Sequence, residues 1–154
     1  MTRSLRLILA AAAVAVVGSF AAASQAQNGA GHSRSGALHA TKDCSQYFGN
    51  AGDYCTIRSS SLNAIDPGMR VVYTSTAGAA SLDSDLVLDG PGNNDALGHV
   101  TLDFATLSGV VTFNGGTGRF RGFHASVDVT YDAQTGLWRW DGTYSFTPPG
   151  HDLG

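Results

Sequence analysis

Glutamate is absent from this 154-residue chain, and Lys42 is its single lysine. All twelve acidic residues are aspartate, and charged residues make up 14% of the chain against a usual share of about 25%. Exposed helices draw heavily on Glu, Lys, Gln and Arg, so this shortage excludes a helical bundle. A formal charge of −3 and a pI near 5.8 exclude the basic footprint of a nucleic-acid binder. The two cysteines, Cys44 and Cys55, lack C-x-x-C spacing and a flanking cation cluster that would activate a thiol. No G-x-S-x-G elbow, P-loop or zinc-like histidine spacing occurs, so nothing in the chain marks an enzyme, a cofactor or a bound metal.

Glycine is plentiful instead, with 20 residues, together with β-branched and aromatic residues that favour short strands and tight turns. At the N-terminus, Arg3 and Arg6 precede apolar and small residues that continue to Ala23. Ser24-Gln25-Ala26 then offers small residues where a signal peptidase reads. Residues 1–26 thus read as a signal peptide, and the chain as an exported, secreted protein of bacterial type with no membrane segment after cleavage. Removing Arg3 and Arg6 takes the formal charge from −3 to about −5. In an oxidising compartment Cys44 and Cys55 read as a disulfide, which by chain entropy contributes roughly 2.8 kcal/mol.

Residues 27–41 are small, polar and Gly-rich with no periodic apolar face, and read as a flexible arm. The folded domain is expected over 42–147, with a C-terminal tail at 148–154. Within it, turn signals recur at Asp66-Pro67-Gly68, Thr76-Ala77-Gly78, Asp89 to Asn94, Asn114 to Gly118 and Ala133 to Gly136. Between them lie seven runs of period two: Tyr54 to Leu62, Met69 to Ser75, Leu82 to Asp89, Gly98 to Phe104, Gly109 to Phe113, Phe120 to Tyr131 and Leu137 to Phe146. Such a meander must hide two edges, and closure does so best. The expected fold is all-β, a single antiparallel up-and-down barrel of seven to eight strands.

Gly115-Gly116-Thr117-Gly118-Arg119-Phe120-Arg121-Gly122 resembles the G-G-T-G-[KR]-F-x-G turn of allene oxide cyclase and dirigent-type barrels. The spacing from Tyr54 to Phe146 is also similar to that of small secreted bacterial proteins described as allene oxide cyclase barrel-like. The resemblance implies an eight-stranded, calycin-like barrel. For the cyclases it would also imply a pocket glutamate, which this chain lacks; for dirigent-type pockets it would imply aspartates and arginines, without fixing which. As a local structure the motif is a hairpin, with Gly115, Gly116 and Gly118 as turn residues. Gly116 and Gly118 are the candidates for positive φ, and Phe120 anchors the next strand.

Several residues are candidates for chemistry or binding. Phe123, Tyr131, Trp138 and Trp140 share one face of the last two runs and are the candidate ligand-binding residues. The opposite face carries His99, Asp103, His124, Asp128 and Arg139, which either is solvated or lines a polar pocket. The oxygen-rich stretch Asp83, Asp85, Asp89, Asn93, Asn94 and Asp95 departs from a calcium-loop order at Val87. His32, His39 and His151 fall in the expected tails. The leading functional reading is a secreted barrel that binds a small, mostly apolar molecule inside. The alternatives are a dirigent- or cyclase-like isomerase acting on a reactive intermediate, and a surface or matrix module whose apolar outer face pairs copies into a homo-oligomer.

Overall fold

The computed structural model describes residues 34–148. The signal peptide, residues 27–33 of the expected arm and the tail beyond Pro148 lie outside the described residues. Eight strands form one closed antiparallel barrel in chain order. They are β1 (Arg34–Asp43), β2 (Tyr54–Ser60), β3 (Arg70–Tyr73), β4 (Ser81–Asp89), β5 (Asp95–Asp103), β6 (Ser108–Gly116), β7 (Phe123–Asp132) and β8 (Leu137–Phe146). A single 3₁₀ turn, Gly118–Phe120, lies between β6 and β7.

The alternation in the sequence decides the inside. Phe123, Ala125, Val127 and Val129 of β7 are buried, while His124, Ser126, Asp128 and Thr130 are exposed. In β4, Leu82, Leu86 and Leu88 point inward and Asp83, Asp85 and Asp89 outward. The apolar, aromatic face therefore fills the barrel, and the His/Asp face is the solvated exterior. Burial of each such side chain contributes about 1.5–3 kcal/mol, and a register slip of one residue would invert all of them.

The N-terminal boundary differs from the sequence reading. Residues 34–41, expected as arm, belong to β1, which pairs with β8 from Arg34↔Phe146 to Lys42↔Trp138 and with β2 from Ala40↔Ser60 to Asp43↔Thr56. Only Leu38 and Ala40 supply buried apolar side chains to this strand, so its period is faint. Backbone pairing holds it: without β1, both β2 and β8 would carry an open edge. His39 is consequently a strand residue, with its Nδ1 2.8 Å from Asp141 Oδ1 on the outer surface.

One end of the barrel is closed by rings. Phe123 packs against Phe113, Phe120 and Phe146 at centroid distances of 5.5, 5.4 and 5.1 Å. Phe120 rides on the 3₁₀ turn and is fully buried, which accounts for its anchoring role. The Gly-rich turn beside it is clasped from two other connections. The Arg119 N–H donates to Asn94 Oδ1 at 2.9 Å, and Arg119 Nη2 donates to Asp66 Oδ2 at 2.8 Å. Asn94 Nδ2 donates to the Pro91 carbonyl at 2.7 Å, so this part of the oxygen-rich stretch serves the clasp.

Gly118 has the expected positive φ, +54°. Gly116 does not; it is glycine because a Cβ there would stand 2.1 Å from the Asp95 carbonyl oxygen. A Cβ at Gly118 would stand 2.2 Å from Asn94 Oδ1 and 2.3 Å from the Asn93 carbonyl. Gly118→Val therefore combines backbone strain with loss of the clasp, and is expected to cost at least about 2 kcal/mol. Urea denaturation measures this; an unchanged midpoint would contradict the assigned role.

Candidate functional site

The opposite end is built differently. There β1, β3, β5 and β7 finish and the even-numbered strands begin, joined by the connections 44–53, 74–80, 104–107 and 133–136. The first of these is pinned by the Cys44–Cys55 disulfide, with an S–S distance of 2.04 Å. Inside the same loop, Asp53 Oδ2 accepts the N–H groups of Phe48 and Asn50, each at 2.9 Å. These bonds, the backbone contact to Asn50 first, hold the Asp53 carboxyl below its usual range. The Gly52 N–H donates to the Tyr73 carbonyl at 2.7 Å, tying the loop to β3.

Beneath this loop lies a cavity of about 50 Å³, room for roughly three water-sized groups. Its walls are Leu82, Val100, Leu102 and Val129, with Phe104, Tyr47 and Trp138 nearer the rim. Its polar end is formed by Lys42, Tyr73 and the disulfide. Lys42 is the last buried residue of β1 and is only 4% exposed. Its Nζ donates to Tyr73 Oη at 2.5 Å and lies 3.9 Å from Cys55 Sγ. The amine also stands over the rings of Tyr73 and Trp140, at 5.2 and 5.3 Å from their centroids.

Among the described residues, no carboxylate forms an ion pair with Lys42. Burial without a counter-charge pulls its ammonium down from 10.5 to about 7. Burial, with a smaller contribution from Tyr47, pushes the Tyr73 phenol well above its ordinary range, so it stays protonated. Tyr47 is raised as well, by burial and then by the charge of Asp53. Its Oη is buried without a hydrogen-bond partner, and its ring packs edge-on against Tyr73 at 4.9 Å. An amine that gives up its proton around neutrality, two protonated phenols and an apolar wall thus meet in one small space. Such an arrangement can donate hydrogen bonds to a ligand oxygen and can present a nucleophilic nitrogen.

The four residues expected to bind a ligand are divided. Trp138 lines the cavity, and Trp140 lies beneath it against Lys42. Tyr131 is 40% exposed and packs on Trp138 at 5.1 Å, at the rim. Phe123 belongs to the ring cluster at the closed end. The residues of the His/Asp face do not meet in one pocket: His99 and Asp85 line an open outer groove on β4 and β5, and His124 lines a separate one on β7, β8 and β1. His99 stands outside, with Nε2 2.9 Å from Asp83 and Nδ1 2.8 Å from Asp85. These carboxylates, Asp85 first, raise its pKa. Arg139 lies 4.0 Å from Asp132 and 3.9 Å from Asp141, also outside. Lys42 and Tyr73 escaped the sequence reading. The signal was there: a chain with one lysine carries it in phase with Leu38 and Ala40, on a strand mistaken for an arm.

The lowered Lys42 pKa carries a sign. Between about 7 and 10.5 the unfolded chain holds a proton that the folded one has lost, so this residue's penalty on stability shrinks as pH rises through that window. Lys42→Met removes the penalty. Its stability advantage over the native protein is expected to fall by about 2.5 kcal/mol between about pH 6 and pH 9. The raised His99 is common to both proteins and cancels in the difference. A pH-independent difference in urea unfolding would contradict a buried, uncompensated amine.

Set against family models, curated proteins and solved structures, the chain matches none of them. Its functional reading accordingly rests on the chemistry of this pocket.

Proposed function

We propose that the protein is an exported binding barrel that takes a small, mostly apolar molecule by an oxygen-bearing head group at the disulfide-side mouth. The observation that carries this reading is the chain's only lysine, buried and without a counter-charge among the described residues, in the lining of a cavity at the disulfide-side mouth. A buried amine costs stability unless paired, and perturbed titratable groups gather where a ligand is recognised. Lys42, Tyr73 and Tyr47 supply donors for the head group, and Leu82, Val100 and Val129 contact its first carbons. The volume admits a head group and a short stem; the remainder of a longer ligand lies across the rim at Trp138 and Tyr131. Export is supported by the N-terminal signal pattern and by the disulfide. Among the described residues, no helix is long and apolar enough to cross a membrane.

A second reading, pairing of copies through an apolar outer face, is favoured by one observation: Tyr54, Val72, Val87 and Leu97 lie in cross-strand register on the outside of β2 to β5, whereas Val110 stands alone between Thr101 and Asp128. The test of the binding reading is a panel of short-chain aldehydes, ketones, alcohols and carboxylic acids, read by tryptophan fluorescence and thermal unfolding. Both tryptophans of the chain adjoin the site, so a binder should shift emission saturably. At a hundredfold excess over its dissociation constant it should add about 2.7 kcal/mol of stability. Lys42→Met should weaken that binder at least about tenfold. No saturable response across the panel would overturn the reading.

A further inference from the structure

Resting on that reading of the mouth as a binding site, we infer that Lys42 is a nucleophilic amine that condenses reversibly with a small aliphatic aldehyde and holds it as an imine. Four observations converge. The amine is withdrawn from solvent, at 4% exposure, and lines the cavity inside the barrel mouth. Its one strong partner is a phenol, so neither a carboxylate nor a second cation neutralises or repels it there. The walls are aliphatic, which favours a hydrocarbon stem and limits the water that would reverse the condensation. A cavity of about 50 Å³ admits a carbonyl flanked by hydrogen more readily than a branched ketone.

The groups at hand suffice for the step. The Lys42 nitrogen lone pair attacks the carbonyl carbon, forming the C–N bond and opening the C=O bond to a carbinolamine. Tyr73, at hydrogen-bond distance from Nζ, passes a proton from nitrogen toward the oxygen. The Tyr47 hydroxyl, which has no partner among the described residues, donates to that oxygen as charge develops on it. The C–O bond then breaks, and the oxygen leaves as water with the two protons that the amine has shed. Nothing is oxidised or reduced, and no co-reactant is needed. The burial-lowered ammonium leaves a substantial share of free amine near neutral pH, where an ordinary lysine leaves almost none.

Butanal with sodium cyanoborohydride traps the imine as a stable butyl-amine, read by intact mass and peptide mapping of the disulfide-bonded protein. Lys42 is the only lysine, so the chain's α-amino group is the sole competing primary amine and serves as the internal reference. Lys42 should be butylated several-fold faster than the α-amino group, with a rate that rises through about pH 7 and then levels. Tyr73→Phe should slow trapping by a larger factor than it weakens butan-1-ol binding, because its hydroxyl serves the proton transfer as well as the head group, and Lys42→Met should abolish the internal adduct. Trapping at Lys42 no faster than at the α-amino group, with butan-1-ol still bound, would overturn the imine and leave the binding site standing. Loss of both trapping and the fluorescence response in the native protein would overturn both.

Discussion

The pairing of β1 with β8 is the constraint on which the rest of this structure depends. It runs from Arg34↔Phe146 to Lys42↔Trp138, and it converts a seven-stranded meander with two open edges into a barrel with none. Closure also gives the alternating strands a defined interior, since an open sheet of this pattern would leave its aromatic face against water. The same seam places the chain's only lysine. Because β1 keeps phase with Leu38 and Ala40, Lys42 must point inward, beside Trp138 and Trp140 of β8 and across from Tyr73 of β3. Closure and a buried amine are one event.

The two barrel ends divide the remaining tasks. At one, Phe113, Phe120, Phe123 and Phe146 pack ring against ring, and the Gly-rich turn is clasped to the neighbouring connections through Asn94 and Asp66. Each ring there contributes stabilisation of the order of 2 kcal/mol or more through burial and aromatic contact. That surplus lets the other end keep polar groups out of water. The disulfide holds the loop above the cavity and Asp53 organises its backbone, so Tyr47 is presented to the pocket by rigid means. A stable closed end supporting a costly open one is how functional sites are commonly carried by folds.

The strands β2 to β8 were legible because apolar or aromatic side chains recur at alternate positions, as Cys55 and Ile57 do in β2, Val71 and Tyr73 in β3, and Phe123, Ala125, Val127 and Val129 in β7, between turns rich in Gly, Pro and Asn. The strand β1 was not, because its inward positions hold one leucine, one alanine and a lysine, and its pairing is made by backbone groups that leave no mark in composition. The Gly-rich motif spoke correctly for a turn and a barrel end, though Gly116 owes its identity to a close backbone approach and not to its φ. Trp138 and Trp140 were rightly singled out as neighbours on one face, whereas Phe123, of the same phase, lies in the ring cluster at the far end of the barrel. Period two shows which side of a sheet a residue occupies and says nothing about its height along the barrel. Lys42 fell outside every motif, since its significance is contextual: an ordinary residue becomes unusual only once its strand is recognised and its counter-charge found missing.

The most direct measurement is the titration of Lys42 itself. With a single lysine in the chain, labelling lysine with ¹³C at Cε gives one side-chain resonance to follow by NMR as pH is changed. A midpoint near 7 is the value that burial without a carboxylate partner imposes. A midpoint near 10.5, the value of a solvated lysine, would mean that the amine sits in water, that β1 does not carry it inward, and that the mouth holds no such site.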